Sequence, residues 1–332
     1  MIEDLIIHIG SHKAGTTSLQ MAFYRGNINA DIFYPKAHPD SAVMHNHNWY
    51  ARSVGTEREE SVMQYMKDQI KDKKRVVISA AWYTYLHPER LNRHIKEHYA
   101  PLAKNIRIIR YLRPALEYWK SSYIEGVKIG EVRTDFETYY RTTSHTPPIY
   151  YDNIISRLQQ DYDITTKPFV KEDLYKNDIV DDFLHYCVGD NYEVTTRSIE
   201  NVGLSVQYLS AVMYMHTLFY DRSFDEVRND GYIITKALKN HVSVKNPVPY
   251  RLPPNIIQEI ATDPRYIQDA AAVDKLLTPG KFYLSNNLKT HLDNLHDQPV
   301  SLKVEDWHTP EAIEMMKAWA EFYMITENFL KK

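Results

Sequence analysis

The sequence predicts an α/β fold of the P-loop type, in three layers: a central parallel sheet flanked by helices, with a mainly helical C-terminal extension. Three observations carry this. Leu5, Ile6, Ile7 and Ile9 run into Gly10, and Gly15-Thr16-Thr17-Ser18 then opens a helical pattern borne by Leu19, Met21, Ala22 and Phe23. Arg75 to Ala80 (RVVISA) and Ile106 to Leu112 (IRIIRYL) read as two further short buried strands. Helical periodicity lies between them, and strands alternating with helices build parallel sheets through crossover connections.

The loop after the first strand is where the chemistry begins. The N-terminus of a helix presents unpaired backbone N–H groups and the positive end of the helix dipole, so its natural ligand is an anion, above all a phosphate. Gly10 and Gly15 have the separation of the nucleotide loop G-x-x-x-x-G-K-[ST], yet Lys13 lies inside the loop and Thr16 takes the usual lysine position. A glycine turn between any strand and helix accounts for the two glycines. It does not account for Lys13 together with three consecutive hydroxyl residues. As a whole, residues 8–20 (HIGSHKAGTTSLQ) resemble the 5′-phosphosulfate-binding loop of the PAPS-dependent sulfotransferase family, especially its bacterial carbohydrate-sulfotransferase-like group. PAPS is 3′-phosphoadenosine 5′-phosphosulfate. The resemblance implies that Lys13 donates to the bridging oxygen of the phosphosulfate, while Ala14, Gly15, Thr16, Thr17 and Ser18 wrap the 5′-phosphate.

Composition sets the bounds. A chain of 332 residues can form one large domain or two smaller ones, and 43% hydrophobic with 25% charged residues is the balance of an ordinary globular protein. A net charge of −3 and a pI near 6.6 argue against a general nucleic-acid or membrane-surface binder, so any anion site must be locally basic. The single cysteine, Cys187, excludes an internal disulfide and a Cys-rich metal site, and is expected to be a buried, inert thiol. No apolar run approaches the roughly 20 residues of a membrane span and no leader precedes the first strand, so a cytoplasmic location is expected. That suits a bacterial enzyme better than the Golgi-anchored animal relatives. The 26 tyrosines suit a sugar surface, but they equally fill half-buried positions.

Along the chain, residues 27–53 are irregular and include Met44 to Ala51 (MHNHNWYA). His45 and His47, two residues apart, share no helical face and lack a third ligand by spacing, so no metal is expected. In the resembling family a histidine often stands just before a helix near this point. His47 fits that place and is the candidate general base, with an ordinary polar loop residue as the alternative. Glu57 to Lys71 reads as an amphipathic helix. After Ser79 the chain reads Ala80-Ala81-Trp82, where related enzymes frequently carry a glutamate base; alanine cannot accept a proton. Pro88 to Tyr99 is expected to be helical.

At the end of the third strand stands a second motif, Arg113 to Tyr123 (RPALEYWKSSY). By resemblance, Arg113 and Ser121, eight residues apart, grip the 3′-phosphate of PAPS, a task that the fixed fork of a guanidinium suits. Ile129 to Pro148, with Glu131, Arg133, Asp135, Arg141 and His145, is expected to form a loop and short helix. Ile149 to Gln160 is amphipathic, Thr166 to Val170 reads as a strand in which Pro168 marks an edge or a start, and Asp178 to Val188 is helical. Asn201 to Ser205 precedes an apolar helix reaching about Tyr220. The resemblance extends from residue 4 to roughly 220. Beyond it the pattern is helical, broken at Asn246 to Pro254 and Thr278 to Lys281, with Tyr250 and Arg251 as candidate acceptor contacts. No linker or repeat divides the chain, so residues 1–332 are expected to form one domain: an α/β core over 1–220 and a helical extension over 221–332.

The expected function is transfer of a sulfuryl group from PAPS to a hydroxyl or amine of an acceptor, a saccharide on family grounds, with Lys13 and His47 as catalytic residues and no metal. Two rivals stay open: a non-catalytic PAPS-binding protein, suggested by Ala81, and a P-loop nucleotide kinase. The sequence leaves the oligomeric state undetermined.

Overall fold

Strand β1 (Ile2–His8) lies in the middle of a four-stranded parallel sheet of order β3-β1-β4-β5, with β3 at Arg75–Ser79, β4 at Ala103–Leu112 and β5 at Asp163–Pro168. The structure, a computed structural model, describes residues 1–11, 13–143, 151–197, 204–218, 231, 233–238, 244–277, 283–295 and 300–330. His145 and the Pro147-Pro148 pair, Asn201 to Gly203, and Thr278 to Lys281 fall outside the described residues.

Successive side chains of a strand point to opposite faces, and here both faces are apolar. Leu5 and Ile7 of β1 join Val76, Ile78 and Ile108 in one core, while Ile6 joins Val77, Ile109 and Tyr111 in another. The first core is closed by α2 (Asn48–Ser53), α3 (Glu59–Ile70), α4 (Pro88–His94) and α7 (Asp152–Leu158), which contribute Tyr50, Met63, Met66, Leu91 and Leu158. The second is closed by α1 (Thr16–Tyr24) and α8 (Ile179–Val188), through Leu19, Phe183 and Leu184. Helix, sheet and helix thus make the three layers, and each fully buried Ile or Leu contributes roughly 1.5–3 kcal/mol. Cys187 sits in the second core, where burial pushes its thiol up, well away from the reactive range.

The chain divides into two compact units whose segments interleave: Met1–Ala115, Pro148–Asn201 and Asp263–Leu288 form the first, and Leu116–Pro147, Val202–Thr262 and Lys289–Lys332 the second. The sheet and both cores belong to the first. In the second, the rest of α5 (Ala115–Lys128), α6 (Phe136–Thr143) and α9 (Val206–Leu218) gather an aromatic interior. Trp119 meets Tyr140 edge-on at 5.1 Å, Tyr123 lies 5.5 Å from Tyr250, and the buried His216 donates from Nε2 to the Val127 carbonyl at 2.9 Å.

Several boundaries differ from the sequence reading. β4 begins three residues earlier, at Ala103, because its first turn of chain is half-exposed and carries no apolar pattern. β5 runs from Asp163 to Pro168 rather than over Thr166 to Val170; as an edge strand its polar residues stay half-exposed, and Pro168, which has no N–H to donate, ends it. The helix from Pro88 passes at Ile95–Tyr99 into a π-helical turn. A short antiparallel pair, β2 (Ile28–Ala30) with β6 (Tyr192–Val194), has strands too brief to show a period in the sequence. Among the described residues, no helix is long and apolar enough to cross a membrane.

Candidate functional site

β1 delivers its loop at the carboxyl end of the sheet, between β3 and β4, the end at which ligands of open α/β sheets collect. The Ile9 N–H still bonds the Ile109 carbonyl at 3.0 Å, after which the chain leaves the ladder. Lys13 and Gly15 both take left-handed conformations, with φ of 69° and 74°. Glycine is required at Gly15 by that φ and by space, since a Cβ there would lie 2.7 Å from the Phe169 ring; at Gly10 a Cβ would lie 2.4 Å from Thr16 Oγ1. Lys13 has no such freedom, and holding a residue with a side chain in this region costs on the order of 1–3 kcal/mol.

Arg113 holds it there. The Arg113 guanidinium donates to the Lys13 carbonyl, so the loop and the end of β4, a hundred residues apart in sequence, meet at one oxygen. Arg113 is itself fixed: its carbonyl accepts from the Tyr151 hydroxyl at 3.0 Å, and the Arg110 guanidinium lies 4.9 Å from the Tyr151 ring centre. Arg110 is fully buried, its three side-chain nitrogens make no hydrogen bond among the described residues, and burial pulls it down to about 10.

Helix α1 starts directly behind the loop. Gly15 at its N-cap supplies no capping side chain and its first turn contains no acidic residue. The dipole end and the first N–H groups therefore face the loop without a side-chain partner from the cap. Thr16 is nearly buried, and its hydroxyl turns back to the Ser11 carbonyl at 3.3 Å, while Thr17 and Ser18 are half-buried. From the segment after β3, the Thr84 hydroxyl braces the Gly10 carbonyl at 2.7 Å. The residues fit an oxygen-rich anion: two left-handed residues in a tight turn, a helix end without a capping side chain, Lys13 and Arg113.

Beneath the loop lies a layer of paired polar groups centred on Ser79. Its hydroxyl meets His8 Nδ1 at 2.8 Å and accepts from the Gln20 amide at 3.0 Å. Its backbone bonds reciprocally with His47: Ser79 N–H donates to His47 Nδ1 at 2.9 Å, and the His47 N–H donates to the Ser79 carbonyl at 3.0 Å. His47 Nε2 donates to the Pro35 carbonyl at 2.7 Å. These partners define the tautomer, because an amide can only donate and a carbonyl can only accept. The His47 ring is fully buried and uses both nitrogens, and burial pulls it down to about 4; His8 is pulled down to about 3 by the same cause. The expectation that His47 deprotonates an acceptor meets a ring with no free lone pair.

No protein-family model and no curated protein matches this chain. Among solved structures, it is similar to the crystal structure of a sulfotransferase from Alicyclobacillus acidocaldarius, at 14% identity and a TM-score of 0.43, over 83% of this chain and 96% of that one.

Of the residues expected from sequence, Lys13 to Ser18 and Arg113 come together at the carboxyl end of the sheet. Ser121 lies half-buried on α5, in the second unit, and its expected role rests on its spacing from Arg113. Ala81 is nearly buried and opens the 3-10 segment Ala81–Tyr85, the part of the chain that carries Thr84. Sequence reasoning missed Gln20, Ser79, Thr84 and Tyr151. Only Ser79 carried a signal, as the residue closing a strand at the functional end of the sheet.

Proposed function

We propose that the protein is a PAPS-dependent sulfotransferase acting on a hydroxyl or amine of a saccharide acceptor. The observation that carries this reading is the bond from Arg113 to the Lys13 carbonyl, which joins the two stretches that resemble sulfotransferase motifs. PAPS, when bound, supplies an activated sulfuryl group on a phosphate leaving group. Thr17, Ser18 and the amides of the loop bind the 5′-phosphate, while Arg113, together with Ser121, binds the 3′-phosphate. Lys13 neutralises charge growing on the bridging oxygen, which is electrostatic stabilisation by a donor already in place. By analogy with the loose transition state of phosphoryl transfer, the acceptor oxygen gains little charge until late, so a dedicated base is a smaller factor than the lysine. Both Ala81 and the fully bonded His47 are consistent with that ordering. His47 is assigned a positioning role, tying the segment at Pro35 to the end of β3 beneath the loop.

Support for a saccharide comes from the chain immediately after β3. The Arg52 guanidinium lies 4.0 Å over the Trp82 ring, Trp82 lies 4.9 Å from Tyr85, and Tyr85 is 44% exposed. Aromatic faces beside a cation suit a sugar ring bearing acidic groups. A nucleotide kinase is disfavoured by Thr16, which occupies the usual lysine position and turns its hydroxyl to Ser11.

The experiment is to incubate the protein with PAPS and a panel of oligosaccharides and follow release of adenosine 3′,5′-bisphosphate by chromatography. Release that depends on the saccharide and needs no magnesium supports the reading. Binding of the bisphosphate without transfer to any acceptor replaces it with a non-catalytic PAPS-binding protein, and turnover of ATP with magnesium replaces it with a kinase.

A further inference from the structure

Away from the loop, α3 and the α4 segment bring together a carboxylate and two histidines. Glu59 opens α3, His94 ends α4, and His98 follows on the π-helical turn Ile95–Tyr99. Glu59 Oε1 lies 2.8 Å from His94 Nδ1 and 3.4 Å from His98 Nε2, and one atom from each of the three lies within 4.8 Å of the others. Both histidines are buried and Glu59 is nearly so. We propose that Glu59, His94 and His98 form a binding site for a divalent transition-metal ion, with zinc the best match to two imidazoles and a carboxylate.

The orientation of the groups, more than their proximity, supports a metal. The outer pole of each ligand is already tied or aimed elsewhere. Glu59 Oε2 accepts from the Gly55 N–H at 2.6 Å and from Arg93 at 3.4 Å. His94 Nε2 faces the Tyr83 hydroxyl at 3.4 Å, and that hydroxyl is bonded to Tyr99 at 2.9 Å. His98 Nδ1 faces the Glu60 carboxylate at 3.8 Å. Histidines that ligate metals characteristically give their second nitrogen to a carboxylate, a carbonyl or another acceptor, which fixes ring orientation and raises basicity. Hydrogen bonding alone does not complete this cluster. If both rings are neutral and donate to Glu59 Oε1, His98 Nδ1 is left as an acceptor facing a carboxylate, and it is buried with no hydrogen bond among the described residues. With a metal on Nε2, Nδ1 carries the proton instead and points it at Glu60.

The π-helical turn gives a second reason to look here. Such turns are rare, are less favourable than a continued α-helix and gather at functional sites. This one begins immediately after the first histidine and carries the second. The ion would pin α3 to the end of α4 across the first core, with water completing its shell.

The test uses the full chain without a histidine tag, stripped with a chelator, reloaded with zinc chloride and desalted, with bound zinc measured by atomic emission. The proposal expects about one zinc ion per chain, less than about a tenth of that in His98→Asn, and a zinc-dependent rise in melting temperature only in the unsubstituted protein. Equal zinc in the two proteins, or none in either, overturns it. Should His98→Asn fail to fold, cobalt chloride added to the unsubstituted protein decides the matter: strong visible absorption displaced by zinc supports the site, and the weak spectrum of the hydrated ion overturns it.

Discussion

The loop over Gly10 to Ser18 and the histidine layer under it occupy the same end of the same sheet, yet they are built in opposite ways. Among its described residues, the loop gathers donors and positive charge with no acidic side chain at the helix start. Lys13 is held at positive φ, α1 starts without a capping side chain, and Arg113 is anchored to a carbonyl of the loop. In the layer beneath, His47 is matched on both ring nitrogens, and Ser79 bonds His8 Nδ1, Gln20 and His47 at once, while His8 Nε2 is buried without a hydrogen bond among the described residues. The contrast teaches that a buried histidine at a candidate active site is not thereby a base. What decides is whether its lone pair is spent. The Glu59 cluster is built differently again, since there one carboxylate oxygen meets two histidines.

The sharpest way to break the comparison is to exchange the roles of Lys13 and His47. Lys13→Ala is expected to lower turnover of PAPS by about 10²–10³-fold, the scale of losing one preorganised charge-stabilising donor, with little change in melting temperature. His47→Ala is expected to do the reverse. It empties buried volume and strands the Ser79 N–H and the Pro35 carbonyl, at a cost of about 2–4 kcal/mol in denaturant unfolding, while folded protein keeps turnover within about threefold. If His47→Ala instead loses turnover and keeps its stability, the ring is chemical and the assignment of the layer is wrong.

Acid titration separates the two histidine environments. His8 and His47 are held neutral in the native protein, at about 3 and about 4 against an ordinary 6.5, so between those values the unfolded chain binds more protons than the native one. Stability therefore rises with pH across that window and is lost as pH falls from 6.5 toward 4, by roughly 3 kcal/mol from His47 alone. In chelator-stripped protein Glu59 is held at about 2, chiefly by its hydrogen bond to His94, so its contribution is full above pH 4.5 and lost on approach to pH 2. Urea unfolding of the stripped protein at a series of pH values should show stability falling from pH 6.5 downward through the histidines, with Glu59 adding to the slope below pH 4.5. Glu59→Gln should reduce the slope only below pH 4.5, and an unsubstituted protein whose stability is constant from pH 6.5 to 4.5 would contradict the neutral layer.

The smallest effect belongs to the brace on the loop. Thr84→Val removes the bond to the Gly10 carbonyl and is expected to cost about 1 kcal/mol, with a matching weakening of nucleotide binding by several-fold.

Much of the fold could be read from the sequence because its strands are continuous apolar runs buried on both faces, and because Gly10, Gly15 and Arg113 mark the turns between strand and helix. β5 was misplaced for the same reason: an edge strand reading Asp163-Ile164-Thr165-Thr166-Lys167-Pro168 carries no such run. In the candidate site, Lys13 and Arg113 were legible as a motif, but the bond between them was not, since it depends on a left-handed backbone and a contact across a hundred residues. The bonding of His47 was least legible. Its partners are backbone groups of Ser79 and Pro35, and backbone groups leave no mark in a sequence.

The central claim is that the loop and Arg113 hold a nucleotide bearing phosphates at both its 3′ and 5′ positions. Isothermal titration of the unsubstituted protein with adenosine 3′,5′-bisphosphate and with ADP tests it most directly. The account predicts binding of the bisphosphate at least about tenfold tighter than ADP, with the preference lost in Arg113→Ala, as expected when one charge-assisted phosphate contact is removed. Equal affinity for the two nucleotides, or a preference that survives Arg113→Ala, would contradict it.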